Sequence, residues 1–243
     1  MNILVTNDDG YQADGLDVLV KKISQKHEVY VVAPDGNRSG ASHSISMFYD
    51  HTISVVGEKR WAYSGNPADC VIVGLKSNLI DAKIDVVISG INHGANMGTD
   101  IIYSGTCSAA REGAVHDIPS LAVSLDKHAP VRGDFEKLAE EVYQNLEYFV
   151  SLAKKTSSRC FVNINALPLA QYKGIKLTST LSKRGYSDFI KIEEENGIYK
   201  GVFVPGDLTS SQEEDCDFML AQKGYISVSL VKADPSALDV AGL

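Results

Sequence analysis

Two adjacent aspartates near the start of the sequence are the residues best placed to do chemistry. Asp8 and Asp9 directly follow the apolar run Ile3-Leu4-Val5. Such a run is typical of a strand buried on both faces of a parallel sheet, and its carboxyl end is where open α/β sheets bind ligands. Adjacent carboxylates repel each other unless a cation or a shared proton relieves them, so a divalent metal is the simplest partner. The alternative is an acidic turn that only caps the next helix.

A second polar loop, residues 34–40, follows the apolar segment 28–33, which is predicted to be the next strand. It carries Asn37, Arg38 and Ser39, and so offers backbone donors, a hydroxyl and one positive charge. We expect a phosphate group to rest against this loop, with Asn37 among its contacts.

A third loop, residues 90–99, follows the predicted strand 85–89 and contains Asn92 and Asn96. Residues 103–108 then lead into a predicted helix over 109–115, with Ser104, Gly105 and Thr106 at its start. Hydroxyls and backbone amides at a helix N-terminus form an anion site, so this segment is a second candidate for binding phosphate.

The elements between these loops alternate between strand and helix. Helical spacing of apolar residues predicts helices after residues 10 and 66 and one long helix over 135–155, and further strands are predicted at 120–124, 160–164 and 175–178. Short antiparallel strands are expected within 43–63, where Ile45 alternates with Met47 and Ile53 with Val55. The pattern predicts an α/β core with a mainly parallel sheet over residues 1–180.

Residues 181–243 differ in character. Asn196-Gly197 lies between apolar segments and predicts a β-hairpin over about 183–202, followed by a helix over 211–223 and a strand over 225–230. A hairpin needs a surface to pack on, and Phe189, Ile190, Ile192 and Tyr199 have no evident place in a closed core. We therefore interpret 181–243 as an oligomerisation arm, exchanged in a homodimer or homotetramer.

The composition limits the classes of function. The chain has 243 residues, of which 44% are hydrophobic and 22% charged, as expected for a soluble globular protein. No membrane span or export signal is evident, and the four cysteines are scattered without a CxxC pair, so we expect a cytoplasmic protein. A net charge of −8 disfavours binding to duplex nucleic acid but permits a small phosphorylated substrate.

Five segments in a fixed order identify a family resemblance: VTNDDG, APDGNRSGAS, SGNPADCV, SGINHGANMGTDIIYSGTCSAAREG and GYISVSL. The chain resembles the SurE family of survival-protein nucleotidases along essentially its whole length, most densely in residues 1–124. The resemblance implies a Rossmann-like core with an exchanged C-terminal arm. It also implies metal-dependent hydrolysis of nucleoside 5′- and 3′-monophosphates, and in some relatives of short polyphosphate.

The resemblance also implies roles for individual residues. The metal ligands would be Asp8, Asp9, Ser39 and Asn92, whereas Asn96, Ser104, Gly105 and Thr106 would line the phosphate pocket. Carboxylate, hydroxyl and amide oxygens are hard ligands, suited to one Mg²⁺, Mn²⁺ or Ca²⁺ per subunit rather than to zinc. We expect Asn96 to act on the transferring phosphoryl group, and the general base is left open between Asp8, Asp9 and neither.

Several residues have a chemical and a structural interpretation. We expect Cys107 to serve packing rather than nucleophilic attack, and His93 to be a solvent-facing loop residue rather than an acid. Arg38 pairs either with phosphate or with Asp35. Ser44 and Ser46 are expected to be structural. The acidic segment 213–217 departs from the family pattern.

Three classes of function are compatible with these residues. The first is the metal-dependent phosphomonoesterase, the second a sensor that binds nucleotide or phosphate without turnover, and the third a structural stress protein. An aspartyl-phosphate phosphatase is a further rival, but that chemistry is usually carried by a D-x-D arrangement and the acids here are adjacent.

Overall fold

Strand β1 (Asn2–Thr6) lies near the middle of the fold and leads directly to Asp8 and Asp9. The structure, a computed structural model, describes residues 1–46, 49–155 and 159–235. The other strands are β2 (Glu28–Pro34), β3 (Ile53–Gly57), β4 (Arg60–Tyr63), β5 (Val86–His93), β6 (Ser120–Leu125), β7 (Cys160–Ala166), β8 (Ile175–Leu177), β9 (Arg184–Tyr186), β10 (Phe189–Glu195), β11 (Ile198–Val204), β12 (Leu208–Ser210) and β13 (Ile226–Lys232). The helices are α1 (Asp14–Ile23), α2 (Pro67–Lys76), α3 (Gly105–Val115), α4 (Arg132–Gln144), α5 (Leu146–Lys154) and α6 (Asp217–Gln222), with a 3₁₀ helix over Gly98–Ile102.

A nine-stranded sheet has the order β3-β4-β2-β1-β5-β6-β7-β13-β8. The strands from β4 to β7 pair in parallel, whereas β3 and β13 run antiparallel to β4 and β7. In β1, Ile3 lies opposite Val29 on one side and Val86 on the other. Because β1, β2 and β5 are parallel neighbours, the loops that follow them meet at one edge of the sheet.

Helices cover both faces of this sheet, which gives the three-layer α/β architecture. Side chains of successive strand residues point to opposite faces. Ile3 and Val5 therefore pack in the cluster that contains α1, α4 and α5, whereas Leu4 packs with residues of α2 and α3. Full burial of each such side chain contributes about 1.5–3 kcal/mol, so this alternation fixes the direction in which β1 delivers Asp8.

Two predicted elements differ in the structure. The long helix predicted over 135–155 is wrong, because Asn145 at φ −109° and ψ 15° ends α4 and begins α5. The strands predicted within 43–63 form only at β3 and β4, which extend the main sheet beside β2, whereas Ile45 lies outside any strand. Met47 lies outside the described residues.

The C-terminal segment divides between the core and a projecting hairpin. Strand β13 lies within the main sheet between β7 and β8, and α6 packs beside it, so these residues complete the core. The predicted hairpin is confirmed as β10 and β11, joined by Asn196 and Gly197 at φ 55° and 78°. The helix predicted over 211–223 is limited to α6. The division at residue 180 and the exchange of the arm stay predictions.

Candidate functional site

The turn after β1 presents the two aspartates. The Asn7 side chain holds this turn closed, since its Nδ2 donates to the Gly10 carbonyl at 2.9 Å and its Oδ1 accepts from the Gly10 N–H at 3.2 Å. Asp8 is buried, and Asp9 accepts a hydrogen bond at its Oδ2 from the His93 N–H at 3.1 Å. The ends of β1 and β5 are thereby joined through a carboxylate.

Asp8 lies against the N-terminus of α3. The Thr106 hydroxyl donates to Asp8 Oδ1, and the backbone N–H groups of Gly105 and Thr106 also favour the charged carboxylate. A Cβ atom at Gly105 would lie 2.7 Å from the Cβ of Asp8, so only glycine permits this approach. Gly105 and Thr106 therefore contact Asp8 directly, and their predicted contact with phosphate stays a prediction.

Burial makes both aspartates hard to ionise. It raises the pKa of Asp8 despite the opposing hydrogen bonds from Thr106 and Gly105. Burial, together with the negative charge of Asp8, raises the pKa of Asp9 to about 6. A bound cation would reverse both effects because it favours the ionised forms.

The loop after β2 brings Ser39 to the same place. The Arg38 N–H donates to the Asp8 carbonyl at 2.7 Å, and the Ser39 N–H donates to Asn37 Oδ1 at 2.8 Å. Asn37 therefore orders the loop around Ser39. The Arg38 guanidinium pairs with Asp35 at 2.7 Å, which is one of the two partners expected for it.

Asn92 lies at the end of β5, rather than in the following loop, where a register shift interrupts the pairing with β6. Its Nδ2 donates to the Gly94 carbonyl at 2.9 Å. Since the amide nitrogen is bonded to the loop, the carbonyl oxygen is the atom this side chain can offer to a cation.

Asn96 is held by buried polar groups of the sheet. Its N–H donates to Asn165 Oδ1 at 2.8 Å, and its carbonyl accepts from Asn163 Nδ2 at 2.8 Å and from Asn165 Nδ2 at 3.1 Å. Its side-chain Nδ2 donates to Ser124 Oγ at 2.8 Å. One amide hydrogen is thus bonded, and the second is the one available to a ligand.

These residues open onto one cleft of about 600 Å³. The predicted site residues that line it are Asp8, Ser39, Asn92, Asn96 and Ser104. Four predicted site residues do not line the cleft but contact residues that do. Asp9 contacts His93 and Asn37 contacts Ser39. Gly105 and Thr106 contact Asp8. The structure therefore brings the three loops together as expected.

The cleft is acidic, although one of its carboxylates, Asp100, is paired with Arg184. It is lined by the carboxylates of Asp8, Asp100 and Asp188, and no lysine or arginine is among the described lining residues. Over residues 1–46, 49–155 and 159–235, no group of three or more His, Cys, Asp or Glu side chains is arranged to hold a metal.

The residues with two interpretations have defined positions. Cys107 is buried, and burial raises the pKa of its thiol to about 12, so it is a packed thiol rather than a thiolate nucleophile. His93 is exposed at the cleft, and its Nε2 accepts from the Ala129 N–H at 3.1 Å. Ser46 donates to Asp69 at 2.6 Å and Ser44 to the Ala41 carbonyl at 2.6 Å, so both hydroxyls serve the local structure.

Comparison with known proteins identifies the family. The profile described as "Survival protein SurE" matches residues 3–187. The chain belongs to the SurE family. The 5'-nucleotidase SurE of Histophilus somni (strain 2336) is 35% identical over 237 residues, which cover 98% of this chain and 94% of the relative. The 5'-nucleotidase SurE of Kosmotoga olearia is 37% identical over 240 residues, which cover 96% of this chain and 92% of the relative.

The fold of the family is shared as well. The crystal structure of the SurE protein from Aquifex aeolicus has a TM-score of 0.83 to this chain at 30% identity, and the match covers 99% of this chain and 97% of the other. Among the described residues of this SurE-family chain, no helix has the length and apolarity needed to cross a membrane.

Some residues that build the site are not identified by the sequence patterns. Asn163 and Asn165 hold Asn96, and they lie two residues apart in the otherwise apolar strand β7. Two amides at that spacing lie on one face of a buried strand. Because buried amides need hydrogen-bond partners, this spacing predicts a polar partner on that face. Arg184 and its ion pair with Asp100 gave no such signal, because the partners are far apart in the sequence.

Proposed function

We propose that this SurE-family chain is a divalent-metal-dependent phosphomonoesterase that hydrolyses nucleoside 5′- and 3′-monophosphates. One observation carries the proposal: the cleft is lined by the carboxylates of Asp8, Asp100 and Asp188, of which Asp100 is paired with Arg184, and no lysine or arginine is among its described lining residues. A phosphate monoester would be repelled there unless a cation neutralises the acids. The relatives' name, 5'-nucleotidase SurE, supports nucleoside 5′-monophosphates as substrates.

The donor set fits a hard divalent cation such as Mg²⁺, Mn²⁺ or Ca²⁺. Asp8, Asp9, Ser39 and Asn92 would hold it, because they offer two carboxylates, a hydroxyl and an amide carbonyl at one sheet edge. The raised pKa values of Asp8 and Asp9 support this fit, since a bound cation would stabilise both carboxylates in their ionised forms. When bound, the cation would neutralise phosphate and lower the pKa of water.

The chain's own residues would position the substrate. The Ser104 Oγ accepts from the Cys107 N–H at 3.0 Å, which leaves its hydroxyl hydrogen to donate to a phosphate oxygen. Asn96 would donate its second amide hydrogen to the charge that develops on the transferring phosphoryl group. Thr106 keeps Asp8 in one orientation. The general base that accepts the proton of the attacking water stays open between Asp8, Asp9 and neither.

Release of inorganic phosphate from AMP tests this function. We expect turnover of 5′-AMP and 3′-AMP with added Mn²⁺ or Mg²⁺ and loss of turnover with a chelator, restored by excess metal. Binding of AMP without release of phosphate would instead support the nucleotide or phosphate sensor. Short polyphosphate, assayed in parallel, tests whether the substrate class extends beyond nucleotides.

We further propose that the protein is cytoplasmic and forms a homodimer or homotetramer.

A further inference from the structure

The same cleft has residues from the C-terminal segment that the phosphate chemistry does not use. Tyr186, Asp188 and Phe203 line it together with Asp8 and Asn96. Tyr186 ends β9, Asp188 precedes β10, and Phe203 lies near the end of β11. The hairpin and its stem, which is the paired strands β9 and β12 at its base, therefore supply part of the wall of the candidate active site.

The stem that carries this wall is fixed to the 3₁₀ helix Gly98–Ile102, which follows Asn96 in the chain. Arg184 pairs with Asp100 at 2.6 Å, and both side chains are largely buried. The Tyr186 hydroxyl donates to the other Asp100 oxygen at 2.9 Å, so the position of its ring is defined.

A second contact ties the stem to the 3₁₀ helix. Asp217 accepts from the Gly98 N–H at 2.7 Å and from the Ser182 N–H at 2.8 Å. Gly98 has φ +56°, and a Cβ there would lie 1.9 Å from the Ser182 carbonyl oxygen. The wall is thus held in place before a ligand binds, which lowers the entropic cost of binding.

The chemistry of this wall differs from that of the phosphate end. Tyr186 and Phe203 are 51% and 59% exposed as residues, so each offers a ring face or edge to a ligand. Asp188 accepts the Gly206 N–H through Oδ1 at 2.7 Å, and its Oδ2 accepts no hydrogen bond from the described part of the chain. That oxygen can accept from a hydroxyl or an amine, whereas its charge repels phosphate.

We propose that Tyr186, Asp188 and Phe203 form the nucleoside-binding wall of the cleft. The base lies against the aromatic rings, and Asp188 accepts a hydrogen bond from a ribose hydroxyl or an exocyclic amine. The cleft, at about 600 Å³, is within the usual size range of small-ligand sites. This inference rests on the proposed function, because it places the phosphate of the substrate at Asp8 and Ser104.

Phe203→Leu tests the aromatic contact, with Tyr199→Leu as the matched control. Phe203 pairs with Ile190 and Tyr199 with Glu194, so both aromatics lie on one face of the hairpin. They are about 13 Å apart along β11, and only Phe203 lines the cleft. Each variant keeps an apolar side chain, and the association state is measured by sedimentation for both.

For Phe203→Leu we expect KM for AMP to rise about tenfold, in keeping with the usual worth of one base–aromatic stack. The inhibition constant of inorganic phosphate should stay unchanged, and Tyr199→Leu should match the wild type. An equal loss for AMP and phosphate, no change in KM, or a loss that accompanies dissociation of the oligomer would overturn the inference.

Asp188→Asn tests the polar contact, with Glu193→Gln on β10 as the control for a lost hairpin carboxylate. Asparagine retains the Oδ1 acceptor for Gly206. We expect KM for AMP to rise about tenfold, because a hydrogen bond to a charged group is lost, while phosphate inhibits equally well or better. Unchanged or tighter binding of AMP contradicts the role of Asp188.

If neither the wild type nor any variant releases phosphate, the proposed function fails. Equilibrium binding of AMP, compared with that of inorganic phosphate, then still decides whether the wall binds the nucleoside.

Discussion

Thr106 donates its hydroxyl to a carboxylate oxygen of Asp8, although the two residues are 98 positions apart in the chain. Thr106→Val removes one of the hydrogen bonds that orient this carboxylate and should raise the pKa of Asp8 further. We expect a loss of about 10- to 100-fold in Mn²⁺ affinity, the usual cost of removing a group that orients a metal ligand. Titration calorimetry on the metal-free protein measures this loss.

Thr106→Ser is the matched control, because serine keeps the hydroxyl and removes only the methyl group. It should bind Mn²⁺ within a few-fold of the wild type. Equal metal affinities for Thr106→Val and the wild type would show that the hydroxyl does not orient a metal ligand.

Asp9 predicts a pH dependence of the metal-free protein. Its pKa is raised from 3.8 to about 6, so the folded state binds more protons than the unfolded state between these values. The free energy of unfolding should therefore fall as pH rises from about 4 to 6 and stay lower above that range. Asp9→Asn removes this penalty, which is up to about 3 kcal/mol at pH 8.

Thermal unfolding in the presence of a chelator measures the effect. The Tm of Asp9→Asn minus that of the wild type should be positive at pH 8 and near zero at pH 4, because the wild-type carboxyl is protonated at low pH. A variant that is less stable than the wild type at pH 8 would show that the Asp9 charge is not destabilising in the apo site.

Local patterns predicted the parts of the site that lie within single loops. Asp8 follows β1, Asn92 lies at the end of β5 and Ser104 caps the start of α3, and strand ends in a parallel sheet share one edge. The arrangement of those loops around one cleft therefore followed from the sheet order. The elements whose position depends on distant contacts did not follow in this way.

Asn96 and Ser104 should affect turnover more than metal binding. Asn96→Ala should lower kcat by roughly 10²-fold at saturating metal, the usual effect of losing one positioned donor, and Ser104→Ala should be milder. Ser124→Ala is the control for orientation, since the Ser124 hydroxyl accepts from the Asn96 amide at 2.8 Å and Ser124 does not line the cleft. Its kcat should fall less than that of Asn96→Ala.

Titration of Mn²⁺ or Mg²⁺ in each variant separates the two roles. If excess metal restores the full rate to Asn96→Ala, this residue is a metal ligand rather than a phosphoryl donor. A rate that stays low at unchanged metal affinity supports the assigned role.

The hairpin predicts an oligomer. Exposed apolar side chains cover it, and Ile192 and Tyr199 project at 61% and 70% exposure. A monomer would leave this surface in water, so we expect a homodimer or homotetramer, and Ile192→Lys should shift it towards smaller species. Sedimentation at micromolar concentration measures this. A wild-type species at the chain mass of 26.3 kDa would contradict the prediction.

Distant contacts explain what the sequence left undetermined. Apolar spacing continued through Asn145, so one helix was predicted where the backbone breaks into α4 and α5. The ion pair of Arg184 with Asp100 links segments 84 residues apart, and no local signal marks either partner. This ion pair holds the wall formed by Tyr186, Asp188 and Phe203 at the cleft that Asp8 lines. Because the pair is a distant contact, the position of the wall is seen only in the structure.

Parallel measurement of metal binding and turnover tests whether the metal held by Asp8 and Asp9 carries the hydrolysis. Metal-free protein is titrated with Mn²⁺ while release of phosphate from AMP is followed. We predict that the rate rises with occupancy and saturates at one Mn²⁺ per chain, and that Asp8→Asn and Asp9→Asn abolish turnover yet remain folded. Turnover that persists in excess chelator, or near-native activity in either variant, would contradict the account.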